Sequence, residues 1–109
     1  MDSQQFRILA DQCFRRIGKA LDGEDPDDVE VYASDGVVTL EFGDSSKFMV
    51  SRQSATNQIW VAAGARAWHY NYDEAKNTWV DDRDGHDLYQ RLSELISQKI
   101  GHSVDLSKS

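Results

Sequence analysis

The sequence predicts an α+β fold, a two-layer α/β sandwich in which two helices pack on one face of a six-stranded antiparallel sheet. Three observations lead to this fold class. Apolar residues recur with helical spacing near both ends of the 109-residue chain. Between those ends, apolar and polar residues alternate in six short runs, and tight-turn sequences separate the runs. Consecutive short strands of this kind pair antiparallel, so one domain of helix, six strands and helix is expected over residues 1–109.

The first helix is predicted over the first 21 residues. Asp2, with Gln5 three residues later, has the pattern of a capping pair at its start. Pro26 is the only proline, and because it lacks a backbone donor the helix must end before it. The apolar face consists of Phe6, Leu9, Ala10, Cys13, Phe14, Ile17, Ala20 and Leu21.

Period-two alternation predicts the strands. The six runs are residues 29–33, 38–42, 47–53, 57–62, 67–72 and 78–80. Asp35-Gly36 between the first two is a strong hairpin signal. In the fourth run, alternation places Ile59 and Val61 in the core and therefore Trp60 on the opposite face.

The second helix is predicted from apolar residues spaced three and four apart near the end of the chain. Asp84 is expected to cap its start, and Gly101 lies where a left-handed C-terminal cap is expected. The apolar positions are Leu88, Leu92, Leu95, Ile96 and Ile100. The tail over residues 102–109 is expected to add at most a short strand or an ordered flap.

Charge and composition exclude several classes of function. Nineteen acids against twelve Lys and Arg give a net charge of −7. This charge disfavours nucleic acid and anionic membranes as partners and favours a metal ion or a basic protein surface. Cys13 is the only cysteine, so an internal disulfide is excluded. We find no signal-peptide pattern and no long apolar run, and we expect a cytoplasmic protein.

A dense cluster of acids joins the first helix to the first strand. Residues 22–30, which we call the acidic joint, read DGEDPDDVE and contain six acids in nine positions. Like charges this close repel one another, so the cluster favours a role in holding a cation or a basic partner. The alternative interpretation is a solvated, charged turn.

The helix-free face of the predicted sheet is the second candidate surface. Alternation places Gln53, Gln58, Trp60 and His69 on it. A Trp that faces solvent is either an interaction anchor or is half-covered by its neighbours, and the sequence leaves both readings open. No spacing of the three His residues matches a zinc-hydrolase motif and no nucleophilic triad stands out, so we do not expect an enzyme.

One segment resembles a known family. Residues 52–62, read RQSATNQIWVA, are similar to the central motif of the frataxin family, and more closely of its bacterial CyaY branch. The motif reads Asn, a basic residue, Gln, any residue, Pro, two further residues, Gln, an aliphatic residue and Trp. Ser51 stands here in place of Asn, and Ala55 in place of Pro. The resemblance extends over nearly the whole chain, in the order helix, acidic joint, six strands and helix.

The resemblance implies an iron-binding protein of iron–sulfur cluster assembly, an iron donor or regulator that docks on the cysteine desulfurase and its scaffold protein. Iron, as Fe²⁺ or Fe³⁺, is then expected to bind weakly and non-selectively to an acidic ridge. That ridge consists of Asp11, Asp22, Glu24, Asp25, Asp27, Asp28 and Glu30. The family's partner-binding surface corresponds to Gln53, Gln58 and Trp60, with His69 beside them by the strand alternation.

Two other functions stay open from the sequence: a weak ferroxidase, and a pure protein-interaction module whose metal binding is incidental. We expect a monomer, with metal-induced oligomers as the alternative state. Family members often carry further acids late in the first helix, where this chain has Arg16, Gly18 and Lys19. This difference bears on the number of metal ions that the ridge binds.

Overall fold

A computed structural model describes residues 1–108 and contains the predicted two layers. The two helices are α1 (Ser3–Leu21) and α2 (Leu88–Ile100), and a short 3₁₀ helix follows at Leu106–Lys108. The six strands are β1 (Val29–Ser34), β2 (Val37–Phe42), β3 (Lys47–Gln53), β4 (Gln58–Ala63), β5 (Arg66–Asp73) and β6 (Thr78–Asp81). They form one antiparallel sheet in the order β1-β2-β3-β4-β5-β6, which confirms the predicted fold class.

The helix ends follow the sequence signals, with one correction. Asp2 caps α1, because its Oδ1 accepts a hydrogen bond from the backbone N–H of Gln5 at 2.7 Å. The predicted cap of α2 at Asp84 is wrong, since Asp87 caps that helix and accepts from the N–H of Gln90 at 2.9 Å. Residues 82–84 form a turn, and Asp87 after it is extended and forms an isolated bridge with Val80 at the edge of the sheet, so the helix begins only at Leu88.

The core lies between the helices and the inner face of the sheet. Phe6 of α1 packs edge-to-face on Trp79 of β6, with ring centroids 5.9 Å apart, and both side chains are buried. Cys13 is also buried, as predicted, and burial raises the pKa of its thiol to about 12. The sheet residues that alternate with this buried set are left on the face that the helices do not cover.

The C-terminal tail is an ordered flap that closes over α2. Val104 and Leu106 are buried in the core cluster. Ser93 of α2 accepts a hydrogen bond from the N–H of Leu106 at 2.8 Å, and Arg16 of α1 donates through Nε to the carbonyl of Leu106 at 2.9 Å. The tail therefore holds α1 and α2 together. Within residues 1–108, neither helix is long and apolar enough to cross a membrane.

Candidate functional site

The helix-free face of the sheet carries an aromatic pair at its centre. Strand pairing places Ser51, Trp60 and His69 directly opposite one another on β3, β4 and β5. The rings of Trp60 and His69 stack with centroids 4.4 Å apart and an interplanar angle of 23°. Trp60 is 37% exposed, whereas Ile59 and Val61 on either side are buried. The prediction that Trp60 faces away from the core is therefore confirmed.

Polar side chains fix the orientation of this pair. The indole N–H of Trp60 donates to Oε1 of Gln58 at 3.0 Å, and Nε2 of Gln58 donates to Oδ1 of Asn71 at 3.2 Å. Asp82 lies beside both partners, with Oδ2 3.4 Å from Gln58 Nε2 and 3.8 Å from His69 Nδ1. These contacts restrain the orientation of the Trp60 side chain.

Of the four predicted surface residues, three form one connected group and the fourth lies slightly apart. Gln58, Trp60 and His69 belong to the network above. Gln53 lies opposite Gln58 in the strand register, but its amide donates to the hydroxyl of Ser51 at 3.0 Å. Asn71 and Asp82 were not predicted. Alternation alone could have identified Asn71, because it is two residues from His69 on the same strand.

The acidic joint is a compact turn pinned by its own backbone. The N–H groups of Asp28 and Val29 both donate to the carbonyl of Asp25, at 2.8 and 3.1 Å. Oδ1 of Asp25 accepts from the N–H of Asp27 at 2.9 Å. The carbonyl of Asp27 lies so close to Gly43, in the β2–β3 turn, that no Cβ fits between them. The joint is therefore docked on the sheet rather than free in solvent.

Glu24 and Asp28 of the joint converge with a histidine from the other end of the sequence. His102, just after α2, lies with Nε2 2.6 Å from Oε1 of Glu24. One donor atom from each of Glu24, Asp28 and His102 lies within 4.8 Å of the others. We call these three residues the joint cluster. Two carboxylates and an imidazole suit a divalent transition metal.

Two further acids of the joint, together with Glu24, line a groove next to this cluster. Asp22, Glu24 and Glu30 line an open groove of about 260 Å³ between the end of α1 and β1. Oε2 of Glu30 accepts a hydrogen bond from the hydroxyl of Tyr32 at 2.6 Å, which raises the pKa of that phenol. Asp25 and Asp27 are exposed on the outside of the turn. Six of the seven predicted ridge residues thus lie together at one end of the molecule.

Asp11 is the exception. It lies eleven positions before Asp22 on the same helix, a distance of roughly 16 Å along the axis. Its Oδ1 pairs with Nη1 of Arg52 at 2.9 Å, and Nη2 of the same guanidinium is 3.2 Å from Oδ1 of Asp35. The Arg52 side chain is only 12% exposed, so Asp11 is engaged in joining α1 to β3. The structure does not bring Asp11 to the other ridge residues.

His102 is the site residue that the sequence did not reveal. It was not among the predicted ridge residues, yet it lies against Glu24. Both helices end near the β2–β3 turn: Asp27 contacts Gly43, and Lys99 pairs with Asp44 at 2.7 Å. No local pattern in residues 101–109 signals this proximity, because it arises from how two helices lie on one sheet.

The comparisons with known proteins agree with this architecture. A family model described as a frataxin-like domain matches residues 1–102. A protein of Dechloromonas aromatica named iron-sulfur cluster assembly protein CyaY is 43% identical over 107 residues, covering 97% of this chain and 99% of that protein. A protein of the same name from Tolumonas auensis is 33% identical over 106 residues, covering 97% of this chain and 99% of its own length.

Solved structures give the same result. The frataxin of Psychromonas ingrahamii, described as a model for stability modulation within the CyaY family, has a TM-score of 0.88 and 31% identity over 97% of this chain and 98% of its own. A trimeric yeast frataxin complexed with ferrous iron shares the fold, with a TM-score of 0.64 and 22% identity over 93% of this chain and 87% of its own. On the family model and these near-full-length matches, the chain belongs to the frataxin-like family, within its CyaY branch.

Proposed function

We propose that this protein acts in iron–sulfur cluster assembly, where it binds iron as cargo at the acidic joint and docks on the cysteine desulfurase–scaffold complex through the Trp60 face. The observation that carries the proposal is the 43% identity, over almost the full length of both chains, to a relative named for iron–sulfur cluster assembly. The protein acts as a regulator rather than as an enzyme, and it binds iron reversibly.

The exposure of the joint cluster supports weak iron binding. The His102 side chain is 48% exposed and that of Glu24 is 22% exposed, so water competes for every coordination position. Hard carboxylate oxygens accept Mn²⁺, Mg²⁺ and Ca²⁺ as well as iron, and only the imidazole of His102 favours a transition metal. An open site of this kind suits an ion that has to be released.

The stack of Trp60 on His69 supports docking through the sheet face. An exposed, hydrogen-bonded Trp at the centre of an uncovered face has the properties of an interface hot spot. The acidic joint lies at the first strand, away from this stack, and offers a basic partner a separate electrostatic contact. The two contacts differ in salt dependence, because exposed charges are screened and apolar burial is not.

The first test uses Trp60→Ala. We expect a loss of about 1 kcal/mol or less in the free energy of unfolding, because the side chain is partly exposed. We expect the affinity for the desulfurase–scaffold complex to fall by ~2 kcal/mol or more, about thirtyfold, and the defect to persist at high salt. Denaturant unfolding and a binding titration measure the two effects.

Tyr32→Ala is the matched control, since Tyr32 is 50% exposed on the same face but on the edge strand β1. It should leave the affinity close to that of the wild type. A loss of ~3 kcal/mol in stability for Trp60→Ala with unchanged affinity would instead make Trp60 a structural residue.

The second test separates the three candidate functions. Sulfide production by the desulfurase is followed with and without Fe²⁺, for the wild type, Trp60→Ala and the double variant Glu24→Gln with Asp28→Asn. The proposal requires both variants to change the Fe²⁺-dependent rate. An effect of Trp60→Ala alone indicates an interaction module with incidental metal binding. Fe²⁺ oxidation that consumes oxygen and is lost in the double variant indicates a ferroxidase.

A further inference from the structure

A second group of metal-type donors lies in the loop between β6 and α2, at the other end of α2 from His102. Residues 81–87 read DDRDGHD, four aspartates against one arginine. The backbone closes this loop: the N–H of Asp81 donates to the carbonyl of His86 at 2.9 Å, and the N–H of Gly85 donates to the carbonyl of Asp81 at 3.1 Å. Gly85 has φ of +75°, which lets His86 fold back over Asp84.

Three side chains of this loop face one another. One donor atom from each of Asp81, Asp84 and His86 lies within 4.8 Å of the others. Oδ1 of Asp84 is 2.6 Å from Nδ1 of His86 and also accepts from the N–H of His86 at 3.0 Å. We call these residues the loop cluster. Its donors are again two carboxylates and an imidazole, but they come from six consecutive positions.

The carboxylate of Asp81 is buried and only half satisfied. Asp81 is 5% exposed. Its Oδ2 accepts from the N–H groups of Arg83 and Asp84, both at 2.9 Å. Its Oδ1 is buried and has no hydrogen-bond partner among residues 1–108. An unpaired, buried carboxylate oxygen is costly, so this atom points to a ligand that the protein chain itself does not supply.

Nε2 of His86 is hydrogen-bonded to a buried tyrosine. Nε2 lies 2.7 Å from the hydroxyl of Tyr70, which is 1% exposed. Metal-binding histidines typically have their second ring nitrogen fixed by such a partner, which sets the tautomer and the ring orientation. The contact leaves Nδ1 as the nitrogen that faces Asp84 and Asp81.

We propose that the loop cluster binds a divalent first-row transition metal ion, such as Mn²⁺ or Zn²⁺, through Asp81, Asp84 and Nδ1 of His86. The imidazole favours these ions over Mg²⁺ and Ca²⁺. The ion takes the place of the proton between His86 and Asp84, and this proton transfers through solvent to Nε2 of the ring. The ring then carries its proton on Nε2, where it donates to Tyr70. Neighbouring ligands of one ion lie about 3 Å apart at bond lengths near 2.1 Å, so Asp84 and His86 need to separate only slightly.

The test is a titration of ¹⁵N-labelled protein with MnCl₂ alone, followed by the broadening of backbone amide signals. In the wild type, broadening should centre on two places, residues 84–86 and the joint cluster. His86→Gln should raise the Mn²⁺ concentration for half-broadening at the loop at least about tenfold and leave the joint unchanged. His102→Gln is the matched control, and it should weaken the joint and leave the loop unchanged.

Two further variants keep the proposal testable. Tyr70→Phe removes the contact to Nε2 and keeps the ring, so the loop affinity should fall about tenfold or more while the joint affinity stays the same. Near-ultraviolet circular dichroism shows whether His86→Gln is folded. If it is not, Asp84→Asn replaces it, because the amide oxygen of asparagine can still accept a hydrogen bond from the N–H of His86.

A diamagnetic ion gives an independent readout. ZnCl₂ should shift the Nδ1 resonance of His86 and leave its ring proton on Nε2. Broadening confined to the joint up to millimolar Mn²⁺ would overturn the proposal and leave Oδ1 of Asp81 to a water molecule. Equal broadening at the loop in the wild type, His86→Gln and Asp84→Asn would overturn it as well.

Discussion

The two ends of α2 carry the same donor set in opposite settings. In the joint cluster, His102 follows the helix and meets Glu24 from a segment 78 residues away, and the His102 side chain is 48% exposed. In the loop cluster, Asp81 is 5% exposed and His86 lies five positions along the same closed loop. The joint cluster is assembled by tertiary packing and is exposed to solvent. The loop cluster comes from one short segment and is partly buried.

The two settings favour different exchange behaviour for the ions proposed to bind there. When an ion dissociates from a solvent-exposed ligand atom, water solvates that atom in its place. The free-energy cost of dissociation is therefore small. A buried carboxylate oxygen without a partner is poorly solvated when its ion leaves, so retention is favoured. Exposure of the joint cluster therefore favours release of a bound ion, and burial of Asp81 favours retention of an ion at the start of α2.

The largest expected effect that separates the two ends is on folding. Asp81→Ala removes the acceptor for two backbone N–H groups and should lower the free energy of unfolding by about 2–3 kcal/mol. Asp28→Ala, the control at the joint, should change it by about 0.5 kcal/mol or less. The denaturant midpoints of metal-free protein measure both. Equal losses would show that the two clusters are buried to the same degree in solution.

The next effect concerns how the joint is seated on the sheet. Gly43→Ala places a methyl group against the carbonyl of Asp27 and should cost about 1–3 kcal/mol, because backbone cannot move aside as a side chain can. Gly18→Ala is the control: nothing lies within 4 Å of its added carbon, and alanine in a helix should stabilise by about 0.5–1 kcal/mol. Thermal unfolding distinguishes the predicted loss of stability in Gly43→Ala from the predicted gain in Gly18→Ala. A neutral Gly43→Ala would mean that the joint moves freely relative to the β2–β3 turn.

The smallest effect tests charge repulsion within the joint. Asp25→Asn combined with Asp27→Asn should raise stability slightly, within about 0.5 kcal/mol for each exposed site. Asparagine keeps the side-chain oxygen that accepts from the N–H of residue 27, so the turn stays capped. Asp25→Ala is the control that removes this bond. A lower denaturant midpoint for the double asparagine variant would show that the charges themselves are structural.

Local patterns in the sequence determined the fold and the helix-free face. Alternation along β4 predicted an outward Trp60 between two buried neighbours, and the acids of residues 22–30 predicted a charged joint. These features depend on a residue's immediate neighbours, since strand alternation and helix-end signals act over a few positions. The cap of α2 lies three residues later than predicted, because residues 82–84 turn and Asp87 pairs with Val80 before the helix begins.

Which acids lie close to one another depends on tertiary packing. Asp11 carries the same charge as Glu24, yet the fold pairs it with Arg52 from β3 and takes it out of the ridge. His102 carries no metal-ligand spacing in the sequence, and it reaches Glu24 because both helices end near the β2–β3 turn. Ion pairs and donor clusters depend on distances across the sheet between residues far apart in sequence, and such distances are fixed only when the two layers pack.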